Sequence, residues 1–441
     1  MGTSLDFAQA LVLQSHVLAP LTRPLASTER FLTHATQSAI AVVPHPVGTA
    51  ETPPPLANGA PMDAAGWERE LDRLVDSPRL PGRIRLLIDG DAFFPRLVQA
   101  IQDARESIDV RVYIFDRDAF ALRIADLLRE RSRTVRVRVL LDALGSIGAG
   151  ADASRTRYPY APDAAPLPPS LTGYLREGSN VDVRALPNPF LTSDHTKVLL
   201  FDGERAFVGG MNIGHQYRYL WHDLMVEVEG PLVARLARDF DEAFRRVDGV
   251  PPAMGAPDRT GPPPAAAPGM VDLRPLYTRP GDPQILRAQL AAIRAARREI
   301  LIEQAYVADD EIVAALAAAR RRGVDVRVIL PTRGDSGFMN SANLIATRAL
   351  VRNGVRVYAY PAMTHVKAAI YDGWAIVGSA NFDKLSLRVN GETCIATSDP
   401  GFVGALRREL FDRDFTRSAE IATPPAVGWT AYVADFVADQ L

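Results

Sequence analysis

The chain has one cysteine, Cys394, among 441 residues, so it can form no intrachain disulfide and offers no cysteine cluster for a metal. A secreted disulfide scaffold and a zinc ribbon are both excluded. No run reaches 18 uninterrupted apolar residues, and the opening MGTSLDFAQALVLQSHVLAP carries neither a basic region nor a cleavage site. Neither a spanning helix nor a secretory signal is expected. Charge of one sign is lacking too: 50 Lys and Arg stand against 52 Asp and Glu, which is not the basic footprint of a protein that coats nucleic acid. Lysine itself is scarce. It occurs at Lys197, Lys367 and Lys384, and every other basic residue is arginine, so a position that keeps lysine stands out.

What remains is the usage of a globular chain, 47% hydrophobic and 23% charged, too long for one ordinary core. Strand and helix patterns alternate, which implies α/β layers. A helical segment near 91–107 is followed by the strand IDVRVYIF at 108–115, a helix around 119–132 and the strand VRVRVLLD at 135–142. The same order returns in QILRAQLAAIRAARRE, ILIEQAYV, DEIVAALAAARRRG and VDVRVILP. The copies are offset by about 190 residues, shrinking to about 170 at the later landmarks. An Ala/Pro-rich insertion at 149–170 in the first copy accounts for the difference and is a candidate cover for a site. The expected division is a 1–66 extension with a Pro-rich linker, a first domain at 67–248, a second linker at 249–270 and a second domain at 271–441.

Each copy carries H-x-K-x-x-x-x-D. The first, SDHTKVLLFDGERAFVGGMN, sets His195, Lys197 and Asp202, and the second, MTHVKAAIYDGWAIVGSAN, sets His365, Lys367 and Asp372. With seven histidines and three lysines, chance would give this pair on the order of once in a hundred thousand chains. On a strand, residues i and i+2 share a face, so each histidine and its lysine point the same way, a nucleophile or acid beside a fixed cation. The aspartates Asp202 and Asp372 are counted with the catalytic motif residues but, at an odd offset, are assigned a turn or ion-pair role within it. The trailing G-G-x-N and G-S-x-N segments add Asn212, Ser379 and Asn381 as donors for an anion.

These two motifs in a duplicated α/β chain resemble the phospholipase D superfamily, and specifically its bacterial cardiolipin synthase branch. WHDLMVEVEGP at 221–231 and SLRVNGE at 386–392 are similar to segments of that branch. The chain departs from it at Asp194 and Thr196, where H-R-K with a preceding Arg is common, and at Phe244, where Trp is usual. The resemblance implies a duplicated phospholipase D-like repeat, each copy a mixed β-sheet flanked by helices, packed as an intrachain pseudo-dimer with both motifs in one cleft. It also implies that Asp223 and Glu392, 28 and 27 residues after His195 and His365, each orient the imidazole of their own copy.

The activity implied is phosphatidyl transfer through a phosphohistidine, with a phospholipid such as phosphatidylglycerol as donor. Hydrolysis by water is the alternative, and a phosphodiesterase acting on nucleic acid is a more distant one. The usual assignment makes His195 the nucleophile and His365 the acid, although motifs this alike do not rank themselves. No metal or other cofactor is called for, and no nucleic-acid partner. The expected protein is a monomer, cytoplasmic and peripheral on the inner membrane face. His215 and His222, lacking the doubling, are read as surface or supporting residues, Glu303 as a polar strand end, and Lys384 as a surface lysine. The C-terminal stripe Trp429, Tyr432, Val433, Phe436 and Val437 is read as core.

Overall fold

A computed structural model describes residues 54–143, 145, 168–186, 192–247 and 268–427. Nearly all of the 149–170 insertion, most of the second linker and the C-terminal stripe lie outside the described residues.

The first half contains β1 (Leu80–Ile88), β2 (Ser107–Val112), β3 (Arg136–Asp142), β4 (Asp182–Leu186), β5 (Val198–Phe201), β6 (Arg205–Gly209) and β7 (Leu224–Glu229). The second contains β8 (Val271–Arg279), β9 (Asp282–Pro283), β10 (Glu299–Gln304), β11 (Asp325–Pro331), β12 (Arg356–Tyr360), β13 (Lys367–Tyr371), β14 (Trp374–Gly378), β15 (Glu392–Thr397) and β16 (Ala419–Glu420). The first half orders its strands β1-β7-β6-β5-β2-β3-β4, and the second orders its counterparts β8-β15-β14-β13-β10-β11-β12, with β16 at the edge and β9 paired to β8. In each half the two βα-connected pairs are parallel and the other neighbours antiparallel, so both sheets are mixed. The halves join where β1 and β8 pair antiparallel, Leu80 opposite Leu273 and Gly82 opposite Val271.

The same local chemistry builds each half. The helix after β2 (Ala119–Arg131) is capped by Asp118, whose carboxylate accepts from Ala121 N at 2.8 Å. Its counterpart after β10 (Asp310–Arg321) is capped by Asp309, which accepts from Ile312 N at 3.0 Å. One apolar core lies under the helices of the first half, around Phe93, Leu97, Phe207 and Met225, and another under those of the second, around Ile293, Ile302, Val326 and Trp374. A third core is shared: Val198, Val208, Val226 and Phe240 of the first half meet Leu301, Ile329, Ile370 and Phe411 of the second. Each such fully buried side chain stabilises by about 1.5–3 kcal/mol. The two halves therefore fold against each other as a pseudo-dimer within one chain.

One expected boundary shifts. Trp67 was expected to open the first domain, but the helix Ala64–Leu74 packs on the second half. Met62, Trp67, Leu71 and Val75 belong to that core, Trp67 meets Trp374 edge-on with ring centroids 5.2 Å apart, and the buried Arg274 guanidinium donates to Glu68 and Asp72. The apolar face of this helix has its complement on the second sheet, and sequence adjacency to β1 does not override it.

Candidate active site

Each H-x-K segment runs into the first strand of a hairpin, β5 to β6 or β13 to β14, and at each turn stands an aspartate with left-handed backbone, Asp202 at φ 54° and Asp372 at φ 51°. Aspartate tolerates that conformation better than most side chains. Asp202 accepts from the amides of Arg105, Glu106 and Ser107 at 2.7–3.1 Å. Asp372 does the same for Arg297, Arg298 and Glu299 and also accepts from Met62 N at 2.7 Å. Burial works against the Asp202 carboxylate, but these amide bonds outweigh it and hold its pKa below the ordinary range. The motif aspartates thus tie the hairpin to the helix-to-strand junction beside it, and their carboxylates are engaged by those amides rather than by the imidazoles.

The histidines are placed by backbone stitching between the halves. His195 N donates to Gly391 O at 2.8 Å, and Gly391 N donates to Ser193 O at 2.8 Å. His365 N donates to His222 O at 2.7 Å, and His222 N donates to Met363 O at 3.1 Å. The residue after Gly391 is Glu392, and the residue after His222 is Asp223, so the carboxylates cross over. His195 Nδ1 lies 3.0 and 3.1 Å from the two oxygens of Glu392, and His365 Nδ1 lies 2.7 Å from Asp223 Oδ2. The expectation that each acid orients the imidazole of its own copy is therefore corrected: each serves the other half. With a carboxylate accepting, Nδ1 carries the hydrogen and Nε2 is left for chemistry.

Both motif lysines are buried. Lys197 Nζ donates to His195 O at 2.7 Å, and Lys367 Nζ donates to His365 O at 2.6 Å. Burial pulls Lys197 down to about 7 and Lys367 down to about 8. It also pushes Asp223 up to about 7 and Glu392 up to about 8. Burial, reinforced by the two lysine cations, holds both imidazoles well below the ordinary histidine value. Burial thus displaces all six groups toward their neutral forms.

Of the three expected anion donors, two are engaged elsewhere. Asn212 accepts from Ile114 N at 2.9 Å and donates to Tyr217 at 2.9 Å. Ser379 bonds the Glu392 carboxylate and accepts from Thr393 N at 3.1 Å, so it supports the acid that holds His195. Asn381 keeps a buried side-chain oxygen with no hydrogen-bond partner among the described residues.

Several neighbours escaped the sequence reading. Tyr113 packs edge-on against His195 at 4.9 Å, with Lys197 Nζ 5.3 Å from its ring centre. Trp221 and Tyr217 flank His365 at 5.2 and 5.7 Å. Arg111 grips Asp194 through two bonds of 2.7 and 2.8 Å, an ion pair that stands where the branch commonly has arginine before the histidine. The aromatic residues occur once rather than in both copies, so repetition gave no signal. His222, Glu303 and Asp414 form a buried group with the donor set of a cation site, but the imidazole closes directly on Asp414, with Nε2 3.0 Å from Oδ2.

The family profile described as "Cardiolipin synthase, PLD-like domain" matches residues 97–247 and 290–415. Cardiolipin synthase A of Pseudomonas entomophila (strain L48) is 32% identical over 374 residues, covering 80% of this chain and 73% of that one. Cardiolipin synthase A of Pseudomonas aeruginosa (strain LESB58) is 33% identical over 374 residues, covering 80% and 71%. The crystal structure of phosphatidylserine synthase from Haemophilus influenzae Rd KW20 superposes with a TM-score of 0.62 at 13% identity, covering 84% of this chain and 96% of that one, a likeness of fold. With both matched segments carrying one motif each, the chain belongs to the phospholipase D superfamily, in its cardiolipin synthase-like branch.

Proposed function

We propose that the protein transfers a phosphatidyl group from a phospholipid such as phosphatidylglycerol to an alcohol through a phosphohistidine. The observation that carries this is the crossed pair of carboxylate-held imidazoles, each beside a buried lysine. His195 Nε2 attacks phosphorus in line, the bond to the leaving oxygen breaks, and His365 gives that oxygen its proton. The incoming hydroxyl then passes its proton to His365 while its oxygen takes phosphorus from His195. Lys197 and Lys367 offset the charge on the phosphoryl oxygens from fixed positions. The lowered basicity of both imidazoles in the free protein suits attack by His195. The anionic phosphodiester, once bound, draws a proton onto His365 and keeps both lysines charged. No step is assigned to a metal.

The sources of the two alcohols lie in a membrane. Among the described residues no helix is long and apolar enough to cross one. Tyr219 and Leu220 are 52% and 58% exposed and stand directly before Trp221, which touches His365. This apolar lip beside the site supports contact with a membrane surface, and we propose a monomer working peripherally on the inner face. Incubation with phosphatidylglycerol vesicles, with and without added alcohol, followed by mass spectrometry of the lipids tests the reading. A phosphatidyl–alcohol product is expected; phosphatidic acid alone would leave hydrolysis in its place, and cleavage of DNA with lipids untouched would replace both.

A further inference from the structure

His222 has a buried imidazole whose two nitrogens both meet carboxylates: Nδ1 lies 2.7 Å from Asp89 Oδ1 and Nε2 lies 3.0 Å from Asp414 Oδ2. Glu303 Oε1 is 3.7 Å from Nε2, and Tyr360 stacks on the ring at 4.9 Å with an interplanar angle of 15°. Arg417 lies 3.6 Å from the far oxygen of Asp414. Asp89 begins the helix after β1 in the first half, whereas Asp414 belongs to the helix Asp412–Arg417 and Glu303 to β10, both of the second. Two carboxylates on one ring require hydrogens on both nitrogens, so the ring is a cation bolted between the halves. Burial opposes that charge, but the bonds to Asp414 and Asp89 outweigh it and hold the ring well above the ordinary histidine value.

The backbone of the same residue holds the catalytic strand end. His222 O accepts from His365 N, His222 N donates to Met363 O, and Asp89 exchanges main-chain and side-chain bonds with Asp223 at 2.8 and 3.2 Å. The equivalent place in the other half of the site is Gly391, which makes the same backbone bond to His195 and has no side chain to fix it. The strand-end residues differ to match: Arg111 and Asp194 beside His195 are replaced by Glu303 and Thr364 beside His365, with Thr364 Oγ1 donating to Glu303 at 2.6 Å.

We propose that His222 is a positioning residue for His365: clamped between Asp89 and Asp414, it fixes the 222–223 backbone and so sets the alignment of His365 with Asp223. It does nothing comparable for His195. The proposal rests on the reading of both histidines as the reacting pair.

The test compares turnover of phosphatidylglycerol, which has a poor leaving group, with turnover of a p-nitrophenyl phosphodiester, which has a good one. His195→Ala and His365→Ala give each histidine its own ratio of losses on the two donors. His222→Ala and Asp414→Asn should then show the His365 ratio in weaker form, with a kcat loss of roughly 10- to 100-fold, as small misplacements of reacting groups produce, and KM changed by less than about twofold. His222→Gln, which can still donate to one carboxylate, should recover part of the loss. An equal loss on both donors, the His195 ratio, or wild-type kcat in soluble, folded variants would overturn the proposal. Normal losses in the two histidine variants would show that the reading of the site still stands. Wild-type rates in His195→Ala and His365→Ala would remove that reading, and this proposal with it.

Discussion

His195 and His365 occupy equivalent strand ends on equivalent hairpins, yet what holds them differs. The acid on His195 is Glu392, backed by the Ser379 hydroxyl; the acid on His365 is the shorter Asp223, backed by Leu224 N at 2.7 Å. Where Ser379 stands in the second half the first has Gly210, and a Cβ there would come within 2.2 Å of Asp223 Oδ1. The segment carrying each acid is pinned by Gly391 on one side and by the clamped His222 on the other. Repetition thus keeps the scaffold and the two imidazoles, while the supports diverge, as the different tasks proposed for the two histidines require. Because the acids cross, neither half holds both members of a histidine–carboxylate pair, and the shared core between the halves is part of the construction of the proposed site.

The largest effects should come from the histidines themselves. His195→Ala should abolish phosphoenzyme formation with any donor. His365→Ala should lose about 10²–10⁴-fold with phosphatidylglycerol, the range typical of general-acid help, and recover partly with a p-nitrophenyl donor. Acid-labile phosphate trapped on the protein should map to His195; trapping on His365 would exchange the roles. Glu392→Gln and Asp223→Asn should follow at up to about 10⁴-fold, as when a triad aspartate is made neutral. Glu392→Gln should copy the His195 defect and Asp223→Asn the His365 defect, and the reverse assignment would break the crossed pairing.

The pH profile is subtler. As pH rises through about 7 and about 8, Lys197 and Lys367 in the free protein lose their protons and with them the charge that attracts the phosphodiester. Thus kcat/KM should fall on the alkaline side, and the matching limb of kcat should lie at higher pH, because the bound anion stabilises both ammonium groups. Coincident limbs would contradict a lysine origin. Smaller still, Asp202→Ala and Asp372→Ala should cost about 1–3 kcal/mol of stability through orphaned amides, with Asp372 the larger because it also holds Met62 N. Urea unfolding would show this, and a catalytic loss without destabilisation would return these residues to the chemistry. EDTA should leave turnover near its starting rate once vesicle aggregation is controlled, and a loss restored by added divalent cation would contradict the metal-free steps.

Much of this was legible from the chain. The strand and helix order and the two H-x-K-x-x-x-x-D motifs predicted a duplicated α/β fold, whereas the sharing of one cleft was implied only by the resemblance to the phospholipase D superfamily. The crossing was not legible, because 28 and 27 residues separate each histidine from the acid of its own copy whether or not the two touch. Placement of the helix Ala64–Leu74 on the second half was hidden for a related reason: its partner Trp374 is remote in sequence. Asn212 and Ser379 read as anion donors by residue type and by their place in the segments trailing each motif, neither of which carries information about partners already taken. His222 stands in one motif only, and Asp89 and Asp414 approach it from 133 and 192 residues away.

The crossed pairing is tested most directly by the ring Nδ1–H resonances of the two catalytic histidines, observed in protein with isotope-labelled histidine and assigned by their loss in His195→Ala and His365→Ala. Glu392→Gln should shift the His195 resonance and leave that of His365 in place, while Asp223→Asn should do the opposite. A His195 resonance that answers to Asp223→Asn and ignores Glu392→Gln would contradict the account.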